Sequence, residues 1–545
     1  AGGNPLYLEE LARSYTAGYG IHFPDTLVAA VQARLFRLPA VQRHILRVAS
    51  ILGMLFSTEA LVVLLGEGSL SAFEVEQGLQ QLEQEELITI ARQGRLPGQE
   101  EYQFRHAITQ EAAYATLSPA EQQAGHLAAL TFLERDEHYK HSFFLLSQHA
   151  IKAGKITSAQ QLLHSAAVQA AALAQFGVAR NILDQLLALQ PQGELLGRCF
   201  ALQALSVFAC GDIEGSFHAG RKAMAALIAQ SVAWFSSGVM VLACAAQLQL
   251  PDFCLELLGV LQLPESVSAL PPVTLIAMAV CAVTSFQTGQ FEVGNRCVQW
   301  LTQVAQIAPS THLDGCLALA CFPQVRVVWE DPYAALLQAR KMTAAFTHTK
   351  GWSLASYGET LAGTVLADLG CMEESYGCFE RAARMAEYAQ DIVQLNFALI
   401  YQAHACCDFE AFERADQLLG KLAAVDAPAL RYPLLGGFTH HARGWVLYAR
   451  GQYEEAEAEI SMALLVMRAV TSFLPMVFAS LAWVLMKQGR HAAALQAIAD
   501  GHRAIKRNGG IAQGKLSLLL AEAELCMQTH PTTAHATLRT AVEYL

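Results

Sequence analysis

The chain is 545 residues long, 53% hydrophobic and only 15% charged, with 17 prolines and a formal net charge of −12. That composition excludes a disordered or collagen-like chain and suits many packed helices around a continuous core. The 13 cysteines form no Cys-x-x-Cys pair and follow no secreted-style framework, so they read as reduced core thiols of a cytoplasmic protein, with no zinc expected.

The chain opens "AGGNPLYLEEL", without Met. Asn4 and Pro5 carry a helix start, an Asn cap followed by proline at the first helical position, where its missing N–H costs nothing. "FPDTLVAAVQARLFRLP" predicts a second helix between Pro24 and Pro39, signalled by Pro24-Asp25-Thr26. "AVQRHILRVASILG", "STEALVVLLGE" and "SAFEVEQGLQQLEQEELI" predict three short helices. Strands follow in "LITIAR" and "YQFRH", either side of the loop "QGRLPGQE", and then a helix from Ala107 to Leu117. Three helices and then a β-hairpin is the order of a winged helix, which by itself says little about function.

Residues 1–150 carry 10 Lys and Arg against 17 Asp and Glu. The stretch where a recognition helix would lie, "EVEQGLQQLEQEEL", has no basic residue, which speaks against nucleic acid as a partner of this segment. Met224 to Leu250 and Ser266 to Phe291 are uncharged and long enough to raise the question of membrane spans. Gln230, Gln247 and Gln249 interrupt the first and Pro271-Pro272 the second, so both are expected to be buried helices, with no membrane partner.

The rest of the chain is periodic. "RGWVLYARGQYEEAEAEISMAL" reads as two helices joined at Gly451, with Gly444 seven residues before the turn and Tyr453, Ala456 and Ala463 two, five and twelve after it. Small residues there let two helices approach closely, and the aromatic fills the corner. The spacing recurs around Gly489 (Ala482, His491, Ala494), Gly370 (Gly363, Met372, Ser375, Ala382), Gly289 (Ala282, Phe291, Gly294) and Gly211 (Ala204, Ile213, Ser216, Ala223). Weaker turns near 251, 330 and 410 fill the gaps, so that turns fall 38 to 41 residues apart; an earlier pair near Gly154 and in "LAQFGVARNILDQLLALQP" opens the series. This pattern resembles the tetratricopeptide repeat in a lengthened form. The resemblance implies a predominantly all-α chain in which roughly ten hairpins stack into a superhelix with a concave inner face.

The front of the chain carries a second resemblance. "GGNPLYLEEL", "FPDTLVAAVQARLFRLP", "ILRVASILGMLFSTEALVVLLG", "LEQEELI" and "YQFRHAITQEAAYATL", in that order, resemble the tail of the nucleotide-binding module of bacterial signal-transduction ATPases with numerous domains. The resemblance covers about residues 1–135. It implies a lid-helix remnant over 1–38, a winged-helix domain over 39–118, connecting helices over 119–150 and the repeat superhelix over 151–545. It also implies an upstream AAA-type ATPase core as partner, with ATP or ADP bound in the full-length parent, and two nucleotide contacts. Pro5 matches the proline that packs against adenine, and His106 in "FRH" stands where a histidine senses the phosphates. Read from the residues alone, Asn4-Pro5 is a plain helix start and His106 a structural histidine at a strand end.

This chain alone carries no enzyme signature. Its three Gly-Lys pairs, at 154, 420 and 514, are followed by Ile, Leu and Leu instead of a hydroxyl residue, so no phosphate-binding loop is present and no cofactor is expected in the chain itself. "GWSLA" lacks the second glycine of a nucleophile elbow, which leaves Ser353 a helix residue. His138, His141 and His149 lack the further ligands that would complete a metal site.

In a tetratricopeptide hairpin the first helix lines the concave face. Aligning on the small residues 403, 444 and 482 puts Phe397, His404, Phe438, His441, Trp445, Tyr448, Trp483 and Met486 there, with Trp445 and Trp483 equivalent in adjacent repeats. Such a track suits a protein, a peptide or a small, sugar-like inducer; the same residues are equally able to pack the superhelix. The expected function is the sensor half of a signalling ATPase, a transcriptional or kinase/cyclase-linked regulator. In it, inducer capture by the repeats is relayed through the winged helix to the core. The alternative is a repeat scaffold that holds proteins together without switching.

Overall fold

The computed structural model describes residues 27 to 544 apart from 67–69, 92–100, 174, 210–211, 249, 329, 390, 424–432, 470, 508–513 and 530. Asn4-Pro5, the Pro24-Asp25-Thr26 signal, the loop around 93–100 and the turn at Gly211 lie outside the described residues. The chain divides into two compact units, residues 1–202 and 203–545.

The first unit begins with α1 (Leu27–Arg37), α2 (Ala40–Leu52), β1 (Leu55–Ser57), α3 (Thr58–Leu65), α4 (Ala72–Gln84), β2 (Ile88–Ile90), β3 (Glu101–Phe104), α5 (Ala107–Ala115) and α6 (Pro119–Arg135). The three strands form an antiparallel sheet in the order β1-β3-β2, with Phe56 opposite Tyr102 and Ile88 opposite Phe104. Strand β1 is an addition to the elements read from sequence. Gly53, at φ 104°, breaks α2 and lets three residues pair with β3. Ile45, Leu46, Leu61, Leu79, Leu82 and Phe104 fill the core between helices and sheet. Local chemistry sets the helix starts: Ser71 with Glu74 and Ser118 with Glu121 form complete capping boxes, and Ser57 caps α3. Helices α7 (Phe143–Lys152), α8 (Ile156–Ala172) and α9 (Phe176–Ala188) follow, and α10 (Gly193–Ala209) runs across the division between the units. Leu163 and Ala167 of α8 pack on Leu183 and Leu186 of α9.

The second unit is a stack of antiparallel helical hairpins of the tetratricopeptide kind. Its helices are α11 (Ile213–Ala226), α12 (Val232–Gln247), α13 (Pro251–Val260), α14 (Pro272–Gln287), α15 (Phe291–Ile307), α16 (Thr311–Pro323), α17 (Pro332–His348), α18 (Trp352–Asp368) and α19 (Met372–Ala389). Then come α20 (Ile392–Asp408), α21 (Phe412–Ala423), α22 (Pro433–Ala449), α23 (Tyr453–Val466), α24 (Leu474–Lys487), α25 (His491–Arg507), α26 (Lys515–Thr529) and α27 (Pro531–Tyr544). Along much of the stack a first helix touches its own partner and the first helix of the next pair, as α18, α20, α22 and α24 do in succession. The stack curls back on itself: residues 471–473 meet α14, and Lys515 pairs with Glu330.

The turns have one recurring geometry. At Gly370, Gly451 and Gly489 the glycine is left-handed, at φ 75–78°, and the next N–H reaches back to a carbonyl five residues earlier, as Cys371 does to Leu366 at 2.9 Å. Glu410 holds the same left-handed position at φ 52°, with Ala411 N–H on Cys406 O, and Glu330 adopts φ 57°. The weak sequence signal at 330 and 410 thus reflects glutamate in a place glycine favours, not a missing turn. Small residues permit the expected close approach. A Cβ on Gly363 would stand 2.5 Å from Phe379, and one on Gly444 2.6 Å from Ile460. Ser375 Oγ donates to Gly363 O at 2.8 Å and Ser216 Oγ to Ala204 O at 2.9 Å, the same tie across two hairpins. Among the described residues no helix is long and apolar enough to cross a membrane.

Candidate ligand-binding face of the repeat array

The residues singled out for the inner face come from three successive first helices, α20, α22 and α24, and most of them touch. His404 stacks on His441 at 5.7 Å and 11° and on Trp445 at 5.5 Å and 4°. Trp445 stacks in turn on Tyr448 at 5.1 Å and meets Trp483 at 5.8 Å in an edge contact. Phe397 meets Phe438 at 6.5 Å. Helical spacing explains the run: His441, Trp445 and Tyr448 are four and three residues apart on one helix face, and His404 is one repeat away.

Burial divides the set. Phe438 and His441 are buried, and Met486 lies within the apolar cluster of α24, α25 and α26. Phe397, His404, Trp445, Tyr448 and Trp483 are half-buried, keeping part of their ring surface open. Both stacked histidines are neutral at physiological pH. Burial holds His404 down at about 4, and burial together with its histidine neighbour holds His441 at about 3. Ser480 Oγ donates to Met476 O at 3.2 Å and so accepts from His441 Nε2 at 2.9 Å, which fixes the proton on that nitrogen.

Beside this run lies a cavity of about 130 Å³ that draws on α18, α19, α20, α22 and α24 and on the residues just after α16. His404, Phe438 and His441 line it, together with Phe379, Tyr401, Arg326, Asp368 and Asp408, which sequence reasoning did not single out. Arg326 belongs to a π-helical turn, Gln324–Val328, entered directly from Pro323. Such widened turns redirect side chains. The Arg326 side chain is only 8% exposed; its Nη2 donates to Asp368 Oδ2, and its Nη1 is buried without an acceptor among the described residues. Phe322 lies under the guanidinium at 5.9 Å. Asp368 remains 61% exposed and Asp408 is exposed, so both stand at the mouth. Tyr401 stacks on Phe379 at 5.4 Å and 15°, and burial raises its hydroxyl pKa. The available signals were Pro323 inside a helical pattern and one arginine in the apolar run "CFPQVRVVW".

Elsewhere, His106 is the cap residue of α5, extended at φ −136°, and its ring makes no capping hydrogen bond. His149 does not join His138 and His141; its Nδ1 meets His126 Nδ1 at 2.9 Å, and Tyr114 OH meets His126 Nε2 at 2.9 Å. Ser353 lies within α18, where its hydroxyl donates to Asp391.

No protein-family model matches the sequence, and no curated protein is significantly similar to it. In structure the chain is similar to a signal transduction ATPase with numerous domains (STAND) protein with a tetratricopeptide repeat sensor from Pyrococcus horikoshii, at 12% identity and a TM-score of 0.42, over 92% of this chain and 67% of that one. A Rap protein complexed with competence and sporulation factor is 11% identical with a TM-score of 0.40, over 72% of this chain and 94% of that one. A tetratricopeptide repeat protein from Parabacteroides merdae is 13% identical with a TM-score of 0.31, over 50% of this chain and 93% of that one.

Proposed function

We propose that this chain is the sensing part of a multidomain signalling ATPase. Its repeat array captures an inducer or partner on the inner face of α18, α20, α22 and α24, and its first unit, with helices and strands in winged-helix order, links that event to an upstream nucleotide-binding core. The observation that carries the reading is the parallel stack of His404, His441 and Trp445, continued by Tyr448 and Trp483. His404, Trp445, Tyr448 and Trp483 keep part of their ring surface open beside a cavity with a buried, half-satisfied arginine. Rigid aromatic rings offer binding area at small entropic cost.

The nucleotide belongs to the absent core, and the residues here that would face it are Pro5 and His106. His106 fits that role on one observation: it sits at the start of α5 with a ring not spent on capping, where a donor beside free backbone N–H groups suits a phosphate. The test uses the full-length protein. His106→Ala should lose bound ADP on gel filtration faster than wild type, and Trp445→Ala should retain ADP but fail to exchange it on induction. Unchanged ADP retention in His106→Ala overturns the phosphate role. Wild-type exchange kinetics in Trp445→Ala favour the scaffold that does not switch.

A further inference from the structure

The cavity beside the ring stack has a definite chemical character, and the following rests on the inner-face reading above. Its strong unsatisfied group is Arg326 Nη1, a buried donor with no acceptor among the described residues. A buried, unpaired charged donor is costly, so an occupant that supplies an acceptor there gains what the protein leaves unmade. The carboxylates of Asp368 and Asp408 stand at the mouth, with Asp368 already on Nη2 of the same arginine.

Charge balance selects the occupant. Two carboxylates face one guanidinium, and both histidines are neutral. An anionic ligand would satisfy Nη1 but add a further negative charge against Asp368 and Asp408. A cationic one would suit the mouth and meet Arg326 at the floor. A hydroxyl does both tasks without charge, accepting from Nη1 and donating to a carboxylate. The walls, Tyr401 stacked on Phe379 and then Phe438, present apolar surface of the kind the C–H face of a ring covers. At about 130 Å³ the site has the liquid volume of about four waters, room for one six-membered ring whose outer substituents reach the open mouth.

We propose that this cavity binds a single uncharged, hydroxyl-rich ring of the monosaccharide class, held by Arg326 at the floor and Asp408 at the mouth, as the inducer site of the array. The ring stack of Trp445 and Trp483 extends the same face beyond the cavity and would receive a further unit of a longer saccharide.

The test is calorimetric titration of the whole chain with glucose, galactose, mannose and N-acetylglucosamine, beside glucose 6-phosphate, glucuronate and glucosamine. At least one neutral sugar should bind and raise the melting temperature in proportion to its concentration. Arg326→Lys keeps the charge beside Asp368 but loses the second fork of the guanidinium, and should weaken binding roughly tenfold. Asp408→Asn, at an exposed position, should weaken it several-fold without altering melting, and carries the test if Arg326→Lys fails to fold. No neutral sugar binding at about 10 mM, tighter binding of the anionic or cationic probes, or binding indifferent to both variants overturns the assignment. The inner-face reading fails on a separate result, namely Trp445→Ala lowering the melting temperature as much as truncation of the buried Phe346 does.

Discussion

Lowering the pH should destabilise the repeat array through its two stacked histidines. Burial sets their folded values, about 3 for His441 and about 4 for His404, whereas in the unfolded chain each takes a proton near 6.5. Above 6.5 both states are neutral and the packing energy is fully present. As the pH falls from 6.5 toward 4, the unfolded chain binds protons that the folded array refuses, and stability is lost. By pH 5 each ring costs roughly 2 kcal/mol, a sizeable part of a domain's usual 5–15 kcal/mol or so. Urea unfolding followed by tryptophan fluorescence isolates this unit, because all six tryptophans lie beyond residue 203. Wild type should lose midpoint steadily between pH 6.5 and pH 5. His441→Gln, which still bonds Ser480 but does not titrate, should show a slope shallower by about one proton, ~1.4 kcal/mol per pH unit. Equal slopes for the two proteins would refute the reasoning.

Gly363→Val should destabilise the array by about 1–3 kcal/mol in thermal melts, since its Cβ would press on Phe379 at 2.5 Å. Glu410→Gly should stabilise it by about 1 kcal/mol in the same assay, because an exposed glutamate pays for a left-handed backbone there. In the first unit, Tyr114→Phe removes one link of the Tyr114–His126–His149 chain and should cost about 1 kcal/mol, read by hydrogen exchange of α6 and α7. The isolated chain should hydrolyse no ATP, with any activity in early fractions separating from it during purification.

The hairpin array was legible because its determinants are local. A left-handed turn glycine, a small residue seven before it and another five after it fix how two helices meet, and all lie within one unit of sequence. The 330 and 410 turns were faint because Glu330 and Glu410 take the left-handed position at an energetic cost that sequence does not advertise. Strand β1 has no signature in sequence because its three residues, after Gly53 and running into a helix cap, carry no alternation; its partner β3 supplies the reason it forms. The aromatic run was legible for the same reason as the hairpins, since His404, Trp445 and Trp483 sit one repeat apart. The cavity floor was not. Arg326 and Asp368 are 42 residues apart, and what joins them is a π-helical turn behind Pro323 whose widening redirects one side chain.

A ring stack that is a working surface tolerates truncation, and one that is core does not. Melting of Trp445→Ala beside Phe346→Ala tests it most directly, the phenylalanine being fully buried against Gly315 and His312. Truncating Phe346 should cost about 3–5 kcal/mol. Trp445 is half-buried and keeps an open face, so its loss should cost clearly less than that of Phe346 and leave the array folded. A loss from Trp445→Ala equal to that from Phe346→Ala would return the stack to the core.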